Sequence, residues 1–431
     1  MSTKITRINQ IAKERPEEIF TSIYHLINKE LLKECFHELD GSKATGLDEV
    51  TKAEYMTNLN SNLEELVKKL KNKAFRPSPA RKVNIPKANG KLRGLAIANF
   101  EDKIVQMALK KLIEAIFEPK FSKSMFGFRP NRSCHDALRQ LTYDIERCHT
   151  NYVVEADIKG YFDNINHEKL IKCLELHIKD PNVIRLVRRF LKAGIIENGQ
   201  YYESEQGTPQ GSILSPVLAN IYMYYILIKW FDNTVKKECR GNASIINFAD
   251  DFVCCFQYKE DAEKFYKEML PTRLKLGDLE LAEDKTRMIE FGRYAKQNYK
   301  VGKPKTFDFL GFTHYCSTSN KGYFRVKRKT SKKKFRQKIL DFKLWIKTNR
   351  CQPLVTLIET AKRKINGHFN YYGVTDNFHM IHKYFWITLG YLFKYLNRRS
   401  QRKSFNWAEF EELIKVFNFP KPRIKVNLYA I

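Results

Sequence analysis

No run of eighteen apolar residues occurs anywhere in these 431 residues, so no segment reads as a transmembrane helix. Cysteine is scarce: there are nine, and none forms a Cys-x-x-Cys pair. That excludes a disulfide framework and a zinc ribbon, and it fits a reduced, cytoplasmic protein. Met1 to Arg7 has no apolar core, so no secretory signal is expected. Neither an amphipathic anchor nor a lipidation motif is present, which argues against a membrane partner. There is no internal repeat. Acidic residues are scarce in one region only: residues 292–431 hold 31 Lys and Arg against 7 Asp and Glu, whereas the first 291 residues hold 46 and 41. The net charge of +29 therefore sits mostly in the last third. A balanced body with a basic end predicts a polyanion partner, most simply nucleic acid.

With 43% apolar and 13% aromatic residues, the chain has material for several globular domains. Residues 8–40 show apolar spacing of three and four through Ile19, Ile23, Leu26, Ile27, Leu31, Leu32, Cys35 and Leu39, which predicts helix. Leu63 to Leu70 predicts another, ended by Pro77 and Pro79. Arg81–Lys87 and Leu92–Ile97 read as strands joined by Ala88-Asn89-Gly90. Asp102–Phe117, Val183–Leu191 and Leu218–Phe231 read as helices, and from about residue 331 the chain is helical and basic. Helices alternating with hairpins, without a parallel βαβ rhythm, give the class α+β. The run Lys327 to Lys334 reads as a charge block and a domain joint.

The most informative stretch is Ile245 to Phe256, where β-prone apolar residues flank Asp250-Asp251. It predicts strand, tight turn and strand. Tyr152 to Ile158 is a second apolar strand, ending on Asp157. Carboxylates in apolar surroundings are costly to desolvate and call for positive charge. Hard oxygen ligands suit Mg2+, and two such ions about 3.5–4 Å apart serve phosphoryl transfer. Asp157 and Asp250 are expected to lead, and strand alternation argues against equal work by Asp250 and Asp251.

In this order, several segments resemble the reverse transcriptases encoded by group II introns. They are Gly46-Leu47-Asp48, with Glu49 where glycine is common, then Ile85-Pro86-Lys87 with Lys91 and Arg93, and Phe126 to Ser133 with His135. Next come Asp157 to Phe162, Gly207 to Ser212 with Leu214-Ser215-Pro216, and Phe248-Ala249-Asp250-Asp251, where tyrosine is commoner than Phe248. Lys285-Thr286, Phe309 to Phe312 and Ile365 to Gly373 complete the set. The resemblance covers about residues 40–425. It implies a right-hand polymerase: fingers with an N-terminal extension (1–150), an antiparallel-sheet palm (151–315), a helical thumb that also binds RNA (316–391), and a short basic tail (392–431).

It further implies roles for single residues. Asp157, Asp250 and Asp251 would be catalytic and hold two Mg2+ ions. Lys87, Arg93, Phe162, Gln210 and Lys285 would meet the dNTP, with Phe162 excluding a 2′-hydroxyl and Lys285 protonating the pyrophosphate. Arg129, Asn131 and Arg132 would touch template, and Lys332, Lys333, Lys334, Arg363, Lys364, Tyr371 and Tyr372 would bind RNA. The expected partners are an RNA template, a DNA primer and group II intron RNA, with splicing assistance beside cDNA synthesis; the oligomeric state is left open. No H-N-H signature follows the thumb, so no second-strand endonuclease is expected. Two alternatives share the sequence: a host-adopted enzyme of DNA repair or phage defence, and a splicing factor without polymerase activity.

Overall fold

A computed structural model describes residues 3–86, 92–298, 304–399 and 404–430. The architecture is mixed helix and sheet, as the α+β class requires. The strands are β1 (Ala80–Pro86), β2 (Leu92–Ile97), β3 (Tyr152–Asp157), β4 (Ile195–Glu197), β5 (Gln200–Tyr202), β6 (Ala243–Phe248), β7 (Asp251–Phe256), β8 (Arg287–Glu290), β9 (Phe307–Phe309), β10 (Phe312–Thr318) and β11 (Phe324–Thr330). They form three sheets, ordered β2-β1-β4-β5, β6-β7-β3-β8 and β11-β10-β9. Every pairing is antiparallel except the short β1–β4 contact.

The central sheet is covered on both faces, and the sequence alternation shows how. Val154, Ala156, Phe252, Cys254 and Phe256 pack into one apolar core with the N-terminal helices and with Phe100–Phe117 and Ser215–Met223. Val153, Val253, Cys255 and Ile246 face the other way, into a second core with Cys134–Arg147 and the C-terminal helices. Two buried faces explain why these strands read as continuous apolar runs rather than alternating ones. Cys254 and Cys255 are free and buried, one in each core. Among the described residues, no helix is long and apolar enough to cross a membrane.

Three local expectations need correction. The helical reading of residues 8–40 fails in its middle: helices span Thr3–Glu14 and Lys29–Glu38, with only a short 3-10 turn, Tyr24–Leu26, between them. There Phe20 bridges to Ile178, and the backbone amides of Ile23 and Tyr24 bind the Asp180 carboxylate. Their apolar side chains are buried by a neighbouring segment, so helical spacing alone misleads. The boundary at 315/316 falls inside β10, and the helical half begins only at Lys332. Lys332 to Lys334, at the end of the charge block, form the first turn of the helix Lys332–Asn349. The boundary at 391/392 cuts the helix Phe378–Leu396, and residues 404–430 are folded rather than a tail. Trp407–Val416 is helical, Val426 bridges to Val374, and Phe410, Phe419 and Leu428 are buried. Tyr429 accepts Arg325 over its ring face at 4.2 Å and donates to Asp376 at 2.5 Å.

Candidate active site

Asp157 ends β3 and stands directly opposite Asp251, the first residue of β7, in antiparallel register. Partners so placed have Cβ atoms about 4.5–5.5 Å apart. Phe248 pairs with Asp251 across β6 and β7, leaving Ala249-Asp250 as a two-residue loop. Alternation puts Asp157 and Asp251 on the face shared by Val153, Val253 and Cys255, the face toward the C-terminal helices. Asp250 lies in the turn, whereas Asp251 is the residue aligned with Asp157.

The turn is strained and clamped. Ala249 has φ +59°, a left-handed conformation that costs a residue with a Cβ on the order of 1–2 kcal/mol. Such strain persists where the surroundings over-determine it. The Asn247 side-chain amide donates to the Ala249 carbonyl at 2.8 Å. The Asn247 backbone exchanges hydrogen bonds with Ser124 and Phe126, each 2.9 Å. Asn220 donates to the Gly127 carbonyl at 2.8 Å. A Cβ on Gly127 would lie 2.4 Å from the Ala249 nitrogen, so only glycine admits the turn this close.

Burial and the neighbouring charges raise the pKa of two of the carboxylates gathered here, Asp250 and Asp251. Burial, then Asp250 and Asp157, push Asp251 up to about 6. Burial and then Asp157 also raise Asp250, with Arg93 and Lys285 opposing. The residue Asp251 is exposed along its strand edge, yet its carboxylate looks into a cleft of about 760 Å³ walled by Lys334, Lys338, Lys364 and the turn. Lys285 binds the Asp157 carboxylate, which raises the lysine's own pKa. Among the described residues, no group of three or more His, Cys, Asp or Glu side chains is placed as it stands to hold a metal ion. The donor set nevertheless suits a hard divalent cation: all carboxylate oxygen, mutually repelling, with Asp157 engaged by an exposed lysine that can swing away.

A second cleft, of about 590 Å³, adjoins on the other side of Asp163. Arg93 lines it from β2, exposed, and Gln210 lines it from the loop after Gly207. Gln210 donates to Asp163 at 3.0 Å, while its carbonyl accepts from Ala96 at 2.6 Å. The Phe162 carbonyl accepts from Thr208 at 2.7 Å, and its ring meets Phe128 edge-on at 6.4 Å. Phe162 is half-buried against the first core. Arg93, Phe162 and Gln210 thus come together beside the carboxylates; Lys87 lies outside the described residues.

The residues expected on template and RNA divide. Asn131 is exposed with φ +57°, and Arg132 is half-buried over the Phe126 ring. Arg129 is not free for a template: it is 8% exposed, ion-paired with Glu118 at 2.8 Å, and bonded to the Ser122 and Met125 carbonyls. It holds the loop that packs against the Asp250 turn. Lys332, Lys333 and Lys334 are exposed, and Lys334 reaches the carboxylate cleft. Lys364 faces the same cleft, whereas Arg363, about 100° round the helix, is exposed outside it. Tyr371 and Tyr372 do not offer stacking faces. Tyr371 donates to the Leu310 carbonyl at 2.9 Å with its ring stacked on Phe312, and Tyr372 is buried against Phe312 and His368. They pin the helix Leu354–Tyr372 to the turn before β10.

Asn220 and Lys338 escaped the sequence reading, as did the positioning roles of Asn247, Gly127 and Asp163. Two of them left a signal: Asn247 and Asn220 are polar residues inside apolar runs, buried at 0% and 3% exposure. A buried polar residue is the informative exception in such a run.

Residues 85–314 match the sequence profile described as reverse transcriptase (RNA-dependent DNA polymerase). The chain is 37% identical over 222 residues to the group II intron-encoded protein LtrA of Lactococcus lactis subsp. cremoris, covering 51% of this chain and 37% of that protein. It is 37% identical over 205 residues to protein YkfC of Escherichia coli (46% and 54%). With the putative COX1/OXI3 intron 2 protein of Saccharomyces cerevisiae it shares 32% over 258 residues (59% and 28%). These matches span from about a quarter to about half of each relative's length.

Proposed function

The chain belongs to the reverse transcriptase (RNA-dependent DNA polymerase) family, and from that premise we propose that it copies RNA into DNA over the Asp157–Asp251 strand pair. The observation that carries this is the register: Asp157 faces Asp251, with Asp250 in the turn between β6 and β7. On this reading residues 80–97 are the fingers hairpin, the central sheet is the palm, and the helices from Lys332 are the thumb. The cleft walled by Lys334, Lys338 and Lys364 takes the primer–template duplex.

Asp157, Asp250 and Asp251 would hold the divalent ions, two Mg2+ in our reading, whose chemistry is to activate a 3′-hydroxyl and neutralise the leaving pyrophosphate. This chain's residues do the positioning. Arg93 approaches the triphosphate as a planar, permanently charged donor. Phe162 presents its ring edge where a ribose 2′-hydroxyl would sit. Gln210, oriented by Asp163, holds the nucleotide or template strand. Lys285, once it leaves Asp157, is free to give a proton to the departing phosphate.

The names of two relatives add a second proposal: this chain also binds a group II intron RNA and assists its splicing. Exposed Arg363, Lys332 and Lys333 would offer that RNA basic surface outside the cleft. The test of the first proposal is Asp250→Asn with Asp251→Asn, assayed for primer extension and for RNA binding. Extension should vanish while binding survives; a double variant with wild-type cDNA synthesis would refute the assignment. For the second, Arg363→Ala should impair protein-assisted splicing at low Mg2+ more than extension on a short unstructured template.

A further inference from the structure

A groove that the polymerase reading does not use lies at the far end of the central sheet. It measures about 1150 Å³, beyond the usual range for a small-molecule site. Gly292 follows β8 and packs on Thr150, at the start of β3. Asp157 ends the same strand, five residues beyond Tyr152, so groove and carboxylates are separated by about 17 Å of strand.

The lining is basic and aromatic. Arg147, Arg293 and Lys329 are exposed on its walls, and among the described residues none of the three has a carboxylate partner. The acidic residue on the wall, Glu146, is already neutralised by Arg325 at 3.1 Å and by the Val326 amide at 2.8 Å. Tyr323, at the tip of the β10–β11 hairpin, is 72% exposed, and Lys329 sits over the Tyr315 ring at 5.8 Å. An apolar ring held in water beside unpaired cations has the chemistry of a base-stacking platform on a phosphate track. Ser317 and Thr306 add hydroxyls that can bond a ribose 2′-hydroxyl.

We infer that this groove is a second nucleic-acid site, binding a single-stranded RNA segment while the carboxylate cleft is occupied. Arg147 and Arg293 would each neutralise a phosphate and Tyr323 would stack on a base.

The test uses the full chain saturated with a blunt, dideoxy-terminated RNA–DNA duplex, titrated with a fluorescent 12-nucleotide single-stranded RNA and read by anisotropy. The 12-mer should bind the loaded protein. Arg147→Glu with Arg293→Glu should weaken it at least tenfold and flatten the log–log salt slope by about 1.4, from ~0.7 per phosphate on a single strand. Extension of a short template should remain at the wild-type rate. Tyr323→Ala alone, at a hairpin tip where folding is not at stake, should weaken the 12-mer several-fold with little change in slope. Failure of the 12-mer to bind, or equal binding by both variants, overturns the site; equal affinity for a DNA 12-mer overturns its assignment to RNA. A duplex that does not load counts against the polymerase reading alone, and the titration is then read on the free chain.

Discussion

Replacing Asp251 by asparagine removes one of three crowded carboxylates while keeping the shape of the side chain. In the folded protein the Asp251 carboxyl titrates near pH 6, against 3.8 for an ordinary aspartate, because burial and the charges of Asp250 and Asp157 disfavour its ionised form. Below about pH 3.8 both the folded and the unfolded chain hold that proton, and the group is neutral toward stability. Between 3.8 and 6 the folded chain binds more protons than the unfolded one, so stability falls as pH rises; above 6 the full cost is present. Roughly two pH units at 1.36 kcal/mol each set a ceiling near 3 kcal/mol. Water reaches the exposed strand edge and screens these charges, so about 1–1.5 kcal/mol is the expected gain for Asp251→Asn. For a chain of this size that raises Tm by about 1–2 °C. Thermal unfolding in EDTA at pH 8 and at pH 4 measures it: the gain should appear at pH 8 and shrink toward zero at pH 4. Added Mg2+ should then raise the Tm of the wild type more than that of the variant. A variant no more stable than wild type at pH 8, or one whose gain persists undiminished at pH 4, would refute the reasoning that like-charge repulsion is stored at this site.

Three other perturbations rest on the same geometry. Gly127→Ala should cut primer extension at least tenfold, because its Cβ would press within 2.4 Å of the Ala249 nitrogen and displace the turn carrying Asp250; steady-state kinetics against a circular-dichroism control checks it. Arg129→Ala should destabilise the fold by about 3–5 kcal/mol by leaving Glu118 and two carbonyls without their buried partner, and urea denaturation would show a lower midpoint; a loss confined to template affinity would restore a template role. Phe162→Val should raise rNTP use relative to dNTP in single-nucleotide incorporation, whereas an unchanged ratio in a folded variant would make Phe162 simply part of the core.

The carboxylate hairpin was legible because its signals are local. Two β-prone runs around Asp250-Asp251 can hardly form anything but strand, turn and strand, and Asp157 closing a third apolar run marks that strand's end. The charge asymmetry, the α+β class and the scarcity of cysteine patterning also lie in the sequence itself. What it could not determine was which side chains meet. Asp250 and Asp251 are adjacent in the chain, but only the β3–β7 register makes Asp251 the partner of Asp157. Arg129, Tyr371 and Tyr372 are chemically suited to nucleic acid, yet packing commits the first to Glu118 and the tyrosines to the turn at Leu310 to Phe312. Ile19 to Ile27 has helical spacing, yet a bridge to Ile178 and the Asp180 carboxylate hold it in another conformation. Local propensities and charge counts are sums over neighbours in sequence. Register, burial and ion pairing join residues that are not neighbours in sequence, and the free energy of those tertiary contacts decided where each side chain went.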